Sequence, residues 1–365
     1  MFIVSAEAGT LLAELKPEKC MGIYMIIYDG IIFSLQRAGG ISVLFEEIFN
    51  RLALDGIDHK ILRYGLQADK RTANLKRRML ERYRDVVSPM CGNVFHSTYY
   101  RLPSGIRNNT AVITTVHDYT YERFIGGVKA KVHSWQKNRA INNSDIVICV
   151  SESTKQDAME YSRVSEDKIA VIYNGVSSEY QPLEISPSNN VCFVLFVGAR
   201  AGYKNFEAAV KAVSPHKDIK LVCVGGGAFI KGELEMLERY LPSRYSHAGF
   251  VTNAELNVYY NKALCLIYPS VYEGFGIPIL EAMSAGCPVI AVNVSSIPEV
   301  AGDAALLVES GSQDELDAAI SSLIFSSKRE ELIVKGLLQA KKFSWDATYT
   351  KTLELYEDVL GKKLA

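Results

Sequence analysis

No run of apolar residues in this sequence is long enough to cross a bilayer: the longest are strand-sized and broken by Gly, Asp or Pro, whereas a spanning helix needs roughly 20 residues. Charge of one sign is missing too. With 40 basic and 41 acidic residues there is no global field to attract nucleic acid, so any basic surface must be local. Asp-x-Asp, a spacing that would cluster acids around a divalent cation, occurs nowhere. The seven cysteines are an odd number, and Cys149, Cys192, Cys223 and Cys265 sit inside apolar strand-like runs such as Val-Ile-Cys-Val. This pattern argues against a disulfide framework or a metal site and predicts buried thiols in a reducing compartment. Residues 1–15 are mildly apolar but have no basic stretch ahead of them, which argues against a secretory signal. A cytoplasmic protein is expected.

At 365 residues and 48% hydrophobic composition the chain can build two substantial cores. Short β-rich runs alternate with helical patterns throughout, which predicts an α/β fold with parallel sheets in two Rossmann-like domains facing across a cleft. Strands are expected at Met25–Tyr28, Val94–Ser97, Ala111–Val116 and Asp145–Val150, then at Cys192–Val197, Lys220–Val224, Leu264–Tyr268 and Pro288–Val292. Helices are expected near 205–214, 230–241, 253–262 and 277–285. Asn174–Asn190, with two prolines, several serines and little periodicity, has the composition of a linker. Ligands of open α/β sheets bind beyond the carboxyl ends of the strands, so the loops after the strands are where chemistry is sought.

The densest such loop is residues 268–286, where Glu273 and Glu281 flank a Gly-x-Gly-x-Pro insert that opens a helix. Gly274 and Gly276 allow close backbone approaches, Pro278 suits a first helical turn, and Gly286 suits the helix end. Free amides at the helix start would hold a diphosphate against Phe275 and Gly276 without a cation. On one helix the two glutamates would sit about 80° apart. The better reading puts Glu273 in the loop, facing a reacting sugar, and Glu281 in the helix, where it can accept hydrogen bonds from both ribose hydroxyls. The plainer alternative is a buried helix with incidental acids.

Five further stretches follow strands. Arg200 and Lys204 come after the strand ending at Val197-Gly198 and can present two cations to phosphates; the alternative is a solvated pair at a helix start, where cations are disfavoured. Gly39-Gly40 precedes a helix near Ser42 and offers a backbone free of side chains to a phosphate or acceptor. His117, followed by Asp118, should emerge at the cleft rim, either to meet a sugar hydroxyl or as a structural residue. Ser151 reads as a helix cap. The glycines at 225–227 do not complete Gly-x-Gly-x-x-Gly, which fails at Ile230, so a nicotinamide dinucleotide site is disfavoured.

In these motifs the chain resembles the retaining glycosyltransferases of family 4, whose fold is called GT-B. The resemblance is carried by Glu273 and Glu281, Gly39-Gly40-Ile41-Ser42, His117-Asp118, Val150-Ser151, Tyr173-Asn174-Gly175-Val176, Val197-Gly198-Ala199-Arg200 with Tyr203-Lys204-Asn205, Gly249-Phe250-Val251 and Ile297-Pro298-Glu299-Val300. It runs from about residue 25 to the C-terminus and leaves residues 1–24 as an expected non-family extension. It implies an acceptor domain over 25–178, a donor domain over 179–344, and a last helix, about 345–365, crossing back onto the first domain. It also implies a nucleotide-sugar donor, a saccharide acceptor, and no metal or other cofactor.

For the site, the resemblance implies Glu273, His117, Arg200 and Lys204 as catalytic residues. Donor binding falls to Gly39, Gly40, Arg200, Lys204, Gly225, Phe250, Val251, Glu273, Phe275, Gly276, Ile277, Leu280 and Glu281. The opening Tyr28-Asp29-Gly30 with Phe33-Ser34-Leu35-Gln36 is most similar to bacterial surface-polysaccharide transferases, many of which use GDP-mannose; UDP-sugars are the alternative. Acceptors in this family are commonly polyprenol-linked. The segment Lys70–Arg84 could therefore form a basic amphipathic helix on an anionic membrane surface, or be only a solvated face. An epimerase of the same fold, a binding protein and a dehydrogenase are the readings from other classes.

Overall fold

The computed structural model describes residues 25–36, 39–64, 71–87, 92–104, 110–184, 192–324 and 327–361. Residues 1–24, Lys70 and the cysteines at 20 and 91 lie outside them, so the expectations placed there are not addressed by the structure.

Two parallel sheets organise the chain. The first contains β1 (Ile26–Asp29), β2 (His59–Tyr64), β3 (Thr72–Leu75), β4 (Val94–Ser97), β5 (Ala111–Val116), β6 (Ile146–Cys149) and β7 (Ile169–Val171), in the order 3-2-1-4-5-6-7. The second contains β8 (Cys192–Val197), β9 (Ile219–Val224), β10 (Tyr245–His247), β11 (Cys265–Tyr268), β12 (Val289–Val292) and β13 (Leu306–Val308), in the order 10-9-8-11-12-13. Each sheet starts in the middle, winds to one edge and then returns to build the other half, as in a doubly wound fold. Alternation along a strand sends successive side chains into two cores. Leu195 joins Leu266 and Val289 on one face of the second sheet, while Val194 and Phe196 join Cys265, Ile267 and Ile290 on the other. Burial on both faces explains why the central strands read as continuous apolar runs.

The strands that sequence inspection passed over are mostly edge strands. Thr72–Leu75, Ile169–Val171, Tyr245–His247 and Leu306–Val308 have no fully buried residue, so they lack the apolar run that marks a central strand.

Two expectations need correction here. Lys70–Arg84 is not a helix in its described part: Thr72–Leu75 pairs with β2, and only a short 3-10 turn, Glu81–Tyr83, follows. Leu80 has a left-handed φ of 56°, which no α-helix continues through, and the buried Glu81 carboxylate pins the turn by accepting from Arg78, Arg101 and Tyr64. Cys192 is exposed, because it is the first residue of its strand and precedes the chain's entry into the core, whereas Cys149, Cys223 and Cys265 are buried as free thiols.

The chain crosses between the two sheets at Val176 and again at Ser344, and these residues bridge to one another. The last helix, Trp345–Leu360, then packs on Gly40–Leu54, with Trp345, Tyr349 and Tyr356 in the first domain's core. Tyr356 ties it down: its hydroxyl lies 2.7 Å from that of Tyr28 and 2.5 Å from His96 Nδ1. Burial pushes the His96 pKa down to about 3, so this ring is neutral and its bonds are those of an uncharged imidazole.

Candidate active site

Loops at the carboxyl ends of both sheets meet where Glu273, Gly274 and Phe275 enter the first domain. Ser151 caps the helix Glu152–Asp157 by accepting from Thr154 N, and its hydroxyl also donates to the Gly274 carbonyl at 2.7 Å. Thr154 donates to the same oxygen at 3.0 Å. Tyr272 reaches across as well, accepting from Tyr119 N and donating to Asp157. Glu299 completes the closure. Its carboxylate accepts from Glu152 N at 3.0 Å and Ser153 N at 3.1 Å, so amides that the helix start leaves unpaired are satisfied from the other domain.

On its other side, the loop after β12 holds Glu273. Ser295 Oγ accepts from Glu273 N, and Ser296 Oγ donates to the carbonyls of Glu273 and Phe275. Ser295, Ser296, Tyr272 and Thr154 were not singled out from sequence, since nothing local marks a serine or tyrosine that bonds to a backbone far along the chain. Gly276 caps the helix Ile277–Ser284 with a φ of 104°, so Glu273 stands in the loop ahead of the helix and Glu281 within it.

The charged groups divide unequally. Lys204 Nζ lies 2.5 Å from Glu273 Oε1, and both side chains are largely sequestered, at 15% and 11% exposure. Arg200 does not join them. Its guanidinium donates to the carbonyls of Gly225, Gly227 and Ala228 at 2.9–3.2 Å, pairs with Glu233 at 3.1 Å and lies over the Phe229 ring. Carbonyls turned inward by the glycine run hold Arg200 apart from Lys204, which is the cation beside Glu273.

His117 is buried, and burial pushes its pKa down to about 4, so the ring is neutral near pH 7. One ring nitrogen is bonded to the Thr98 backbone, and Nε2 is buried without a partner. With the proton held toward the Thr98 carbonyl, Nε2 presents a lone pair that can accept from a hydroxyl.

Glu281 is half committed. Tyr260 OH donates to its Oε2 at 2.9 Å, and burial lifts its pKa to about 7 against the lowering effect of hydrogen bonds from Tyr260 and Tyr180. Of the remaining expected donor-binding positions, Gly40 lies against Ile277, whose Cδ1 is 3.2 Å from where a Gly40 Cβ would stand, with Gly39 just before it at the start of the helix Gly40–Leu54. Gly225 N bonds to the Gly249 carbonyl, which brings Gly225 beside the turn of Phe250 and Val251; Phe250 is 81% exposed. Phe275 and Leu280 are core residues, 4% and 0% exposed, so only their backbone groups are available to a ligand.

The description "Glycosyl transferases group 1" matches residues 184–336, and "Glycosyltransferase Family 4" matches residues 38–180. This chain belongs to glycosyltransferase family 4. The family's fold, GT-B, is what the two facing sheets form. A sucrose-phosphate synthase from Thermosynechococcus elongatus superposes with a TM-score of 0.75 at 18% identity, over 93% of this chain and 100% of that one. WaaG, a glycosyltransferase involved in lipopolysaccharide biosynthesis, gives 0.71 at 15% identity, over 93% and 100%. Among curated relatives, O-antigen chain mannosyltransferase B of Escherichia coli is 27% identical over 72% of this chain and 74% of its own length.

As a family 4 glycosyltransferase the protein takes a nucleotide-sugar donor and a saccharide acceptor. If Glu281 takes the ribose hydroxyls, Glu281→Gln should raise the donor KM by about tenfold, the worth of one charge-assisted hydrogen bond, with kcat little changed. The carboxylate accepts both hydroxyls only when ionised, so the wild-type donor KM should rise as pH falls through about 7. Initial-rate kinetics between pH 6 and 8, flat for Glu281→Gln and sloped for wild type, check this; parallel profiles would refute the ribose role.

Proposed function

We propose that the protein transfers mannose, or a related sugar carried by GDP, with retention of the anomeric configuration and without a metal. The acceptor is a saccharide on a polyprenyl diphosphate, at the inner face of the cell membrane, in O-antigen or surface-polysaccharide synthesis. The Lys204–Glu273 pair at the mouth of the helix Ile277–Ser284 carries the reading: it sets a cation and amide dipoles where a diphosphate would leave, beside a carboxylate where a sugar cation would form. Among the described residues no group of three or more His, Cys, Asp or Glu is placed to hold a metal ion. The mannosyl donor and the pathway are supported by the O-antigen mannosyltransferase relative. No helix among the described residues is long and apolar enough to cross a membrane.

The bond from the sugar's anomeric carbon to the diphosphate oxygen breaks first in this course, and its electron pair leaves with the nucleotide. Lys204 and the amides at the start of the helix offset the growing charge. The acceptor oxygen then bonds to the anomeric carbon from the same face and passes its proton to the departing phosphate. Glu273 shields the transient positive charge, while His117 Nε2 accepts from a sugar hydroxyl and fixes the ring. Arg200, whose guanidinium holds the Gly225–Ala228 turn, is the second cation for the donor phosphates.

A panel of GDP- and UDP-sugars tests the donor. A bound donor at a hundred times its Kd should stabilise the protein by about 2.7 kcal/mol in thermal shift, and GDP-mannose should also be turned over with full activity in excess chelator. Turnover of UDP-sugars alone would overturn the donor, strict dependence on added manganese or magnesium the metal-free course, and an inverted product anomer the stereochemistry.

A further inference from the structure

The helix Gly127–Asn142 buries polar side chains and exposes large apolar ones. Beside Ala130, Ala140 and Ile141, its buried face carries His133, Gln136 and Lys137 at 3%, 5% and 0% exposure, while Val128, Val132 and Trp135 face outward at 77%, 40% and 62%. The outward residues fall at intervals of four and three, so they form one stripe. Water alone does not favour this arrangement, because large apolar side chains are turned outward while a lysine is turned in.

Most of the buried polar atoms are engaged, although His133 Nδ1 is buried without a partner. Lys137 Nζ pairs with Glu122 at 2.7 Å and donates to the Asp118 carbonyl beside the site, while His133 stacks on Tyr121 and lies against Tyr99. Holding the cleft wall thus commits Lys137, His133 and Gln136 inward and leaves Val128, Val132 and Trp135 on the outside. Beside the helix runs the Glu81–Tyr83 turn. Gln136 donates to the Arg82 carbonyl at 2.6 Å and Arg139 clamps Asp85 bidentately, which brings the exposed Met79, Leu80 and Tyr83 next to the stripe. At the other end Phe124 stacks on Tyr203 and lies tilted against Tyr272, at the rim of the cleft next to Lys204.

Charge identifies the occupant. The helix has no carboxylate in its length and exposes Lys129 and Lys131; the neighbouring segment exposes Lys76, Arg77 and Arg84. The nearby acids Glu81, Asp85 and Glu122 are each paired with an arginine or lysine. We propose that this face docks on an anionic lipid surface, with Val128, Val132 and Trp135 entering the headgroup boundary and the lysines and arginines around them meeting lipid phosphates. Tryptophan favours that boundary, and each basic residue near it adds attraction that salt screens. A second copy of the chain fits less well, since a two-fold contact would set these cations against themselves. The proposal extends the lipid-linked acceptor reading, because it would bring the cleft rim at Phe124 to the membrane, where such an acceptor lies.

Flotation with acceptor-free vesicles tests it, using phosphatidylcholine alone and phosphatidylcholine mixed with phosphatidylglycerol, at low and high salt. The full-length protein should float with the mixed vesicles at low salt and be released as salt rises. The double substitution Val128→Ser with Trp135→Ser should lower partition by about tenfold or more, and Lys129→Gln with Lys131→Gln should weaken it mainly at low salt. Val334→Ser with Leu338→Ser, an exposed apolar pair on a helix of the other domain, should float as wild type does. Thermal melting of all variants should be unchanged, since every substituted side chain is exposed. Absence of wild-type flotation, equal flotation of the Val128/Trp135 variant, or conversion of a dimer to a monomer by that variant would each overturn the proposal. The vesicles hold no acceptor, so flotation can fail while transfer to a lipid-linked acceptor in detergent still stands, and the reverse.

Discussion

Replacing Gly274 with alanine should reduce kcat/KM by about a hundredfold or more while leaving both sheets folded. A Cβ at this position would lie 1.8 Å from the His117 carbonyl oxygen, 2.9 Å from its carbon and 3.0 Å from Asp118 Cβ. Two of these atoms are backbone and cannot swing aside, so the domains must separate by more than 1 Å to reach an ordinary contact. That separation breaks the bonds from Ser151 and Thr154 to the Gly274 carbonyl and moves His117 away from Glu273. A misplacement of about 1 Å at reacting groups is enough for a loss of that size. Nucleotide binding should survive within about threefold, because Glu281 and the Gly225 turn belong to the second domain alone. Circular dichroism should be unchanged, and small-angle scattering should show a more open particle. Activity within tenfold of wild type, or a collapsed fold, would refute the close-approach argument.

Lys204→Ala should lower kcat by about 10²–10³, the range for removing one preorganised group that stabilises developing negative charge. Lys204→Arg should restore only part of the loss, because a planar fork does not reproduce a compact ammonium at this spacing. The companion substitution is more discriminating. In the ligand-free protein Glu273 holds Lys204, so Glu273→Gln should release the cation and tighten binding of the nucleoside diphosphate severalfold, although transfer itself slows. Calorimetry with the diphosphate lacking its sugar isolates the first effect, and single-turnover rates isolate the second. Weaker diphosphate binding by Glu273→Gln, or kcat within threefold of wild type for Lys204→Ala, would remove this pair from the mechanism.

Local pattern made the central strands and the Glu273–Glu281 loop legible. A buried parallel strand must be apolar on both faces, and a glycine-rich turn opening a helix carries its own punctuation, so Cys192–Val197 and Gly274–Pro278 can be recognised without knowing what they touch. Edge strands such as Tyr245–His247 escaped notice because partial burial does not demand such a run. Lys70–Arg84 misled because its charges suggest a solvated helix, whereas a buried Glu81 tied to Arg101 holds the segment in another shape.

The sequence by itself determined the α/β alternation and the family, and it singled out the loops of the candidate site, because each depends on residues close together along the chain. Only the tertiary structure decided which charges are free to act. Arg200 is held by carbonyls some 25 positions away, Gly274 is required by His117 from the other domain, Glu299 caps a helix 146 or more residues before it, and the polar side of Gly127–Asn142 faces inward because the cleft wall needs it. Hydrogen bonding, steric exclusion and burial are properties of neighbours in space, and folding chooses those neighbours from the whole chain.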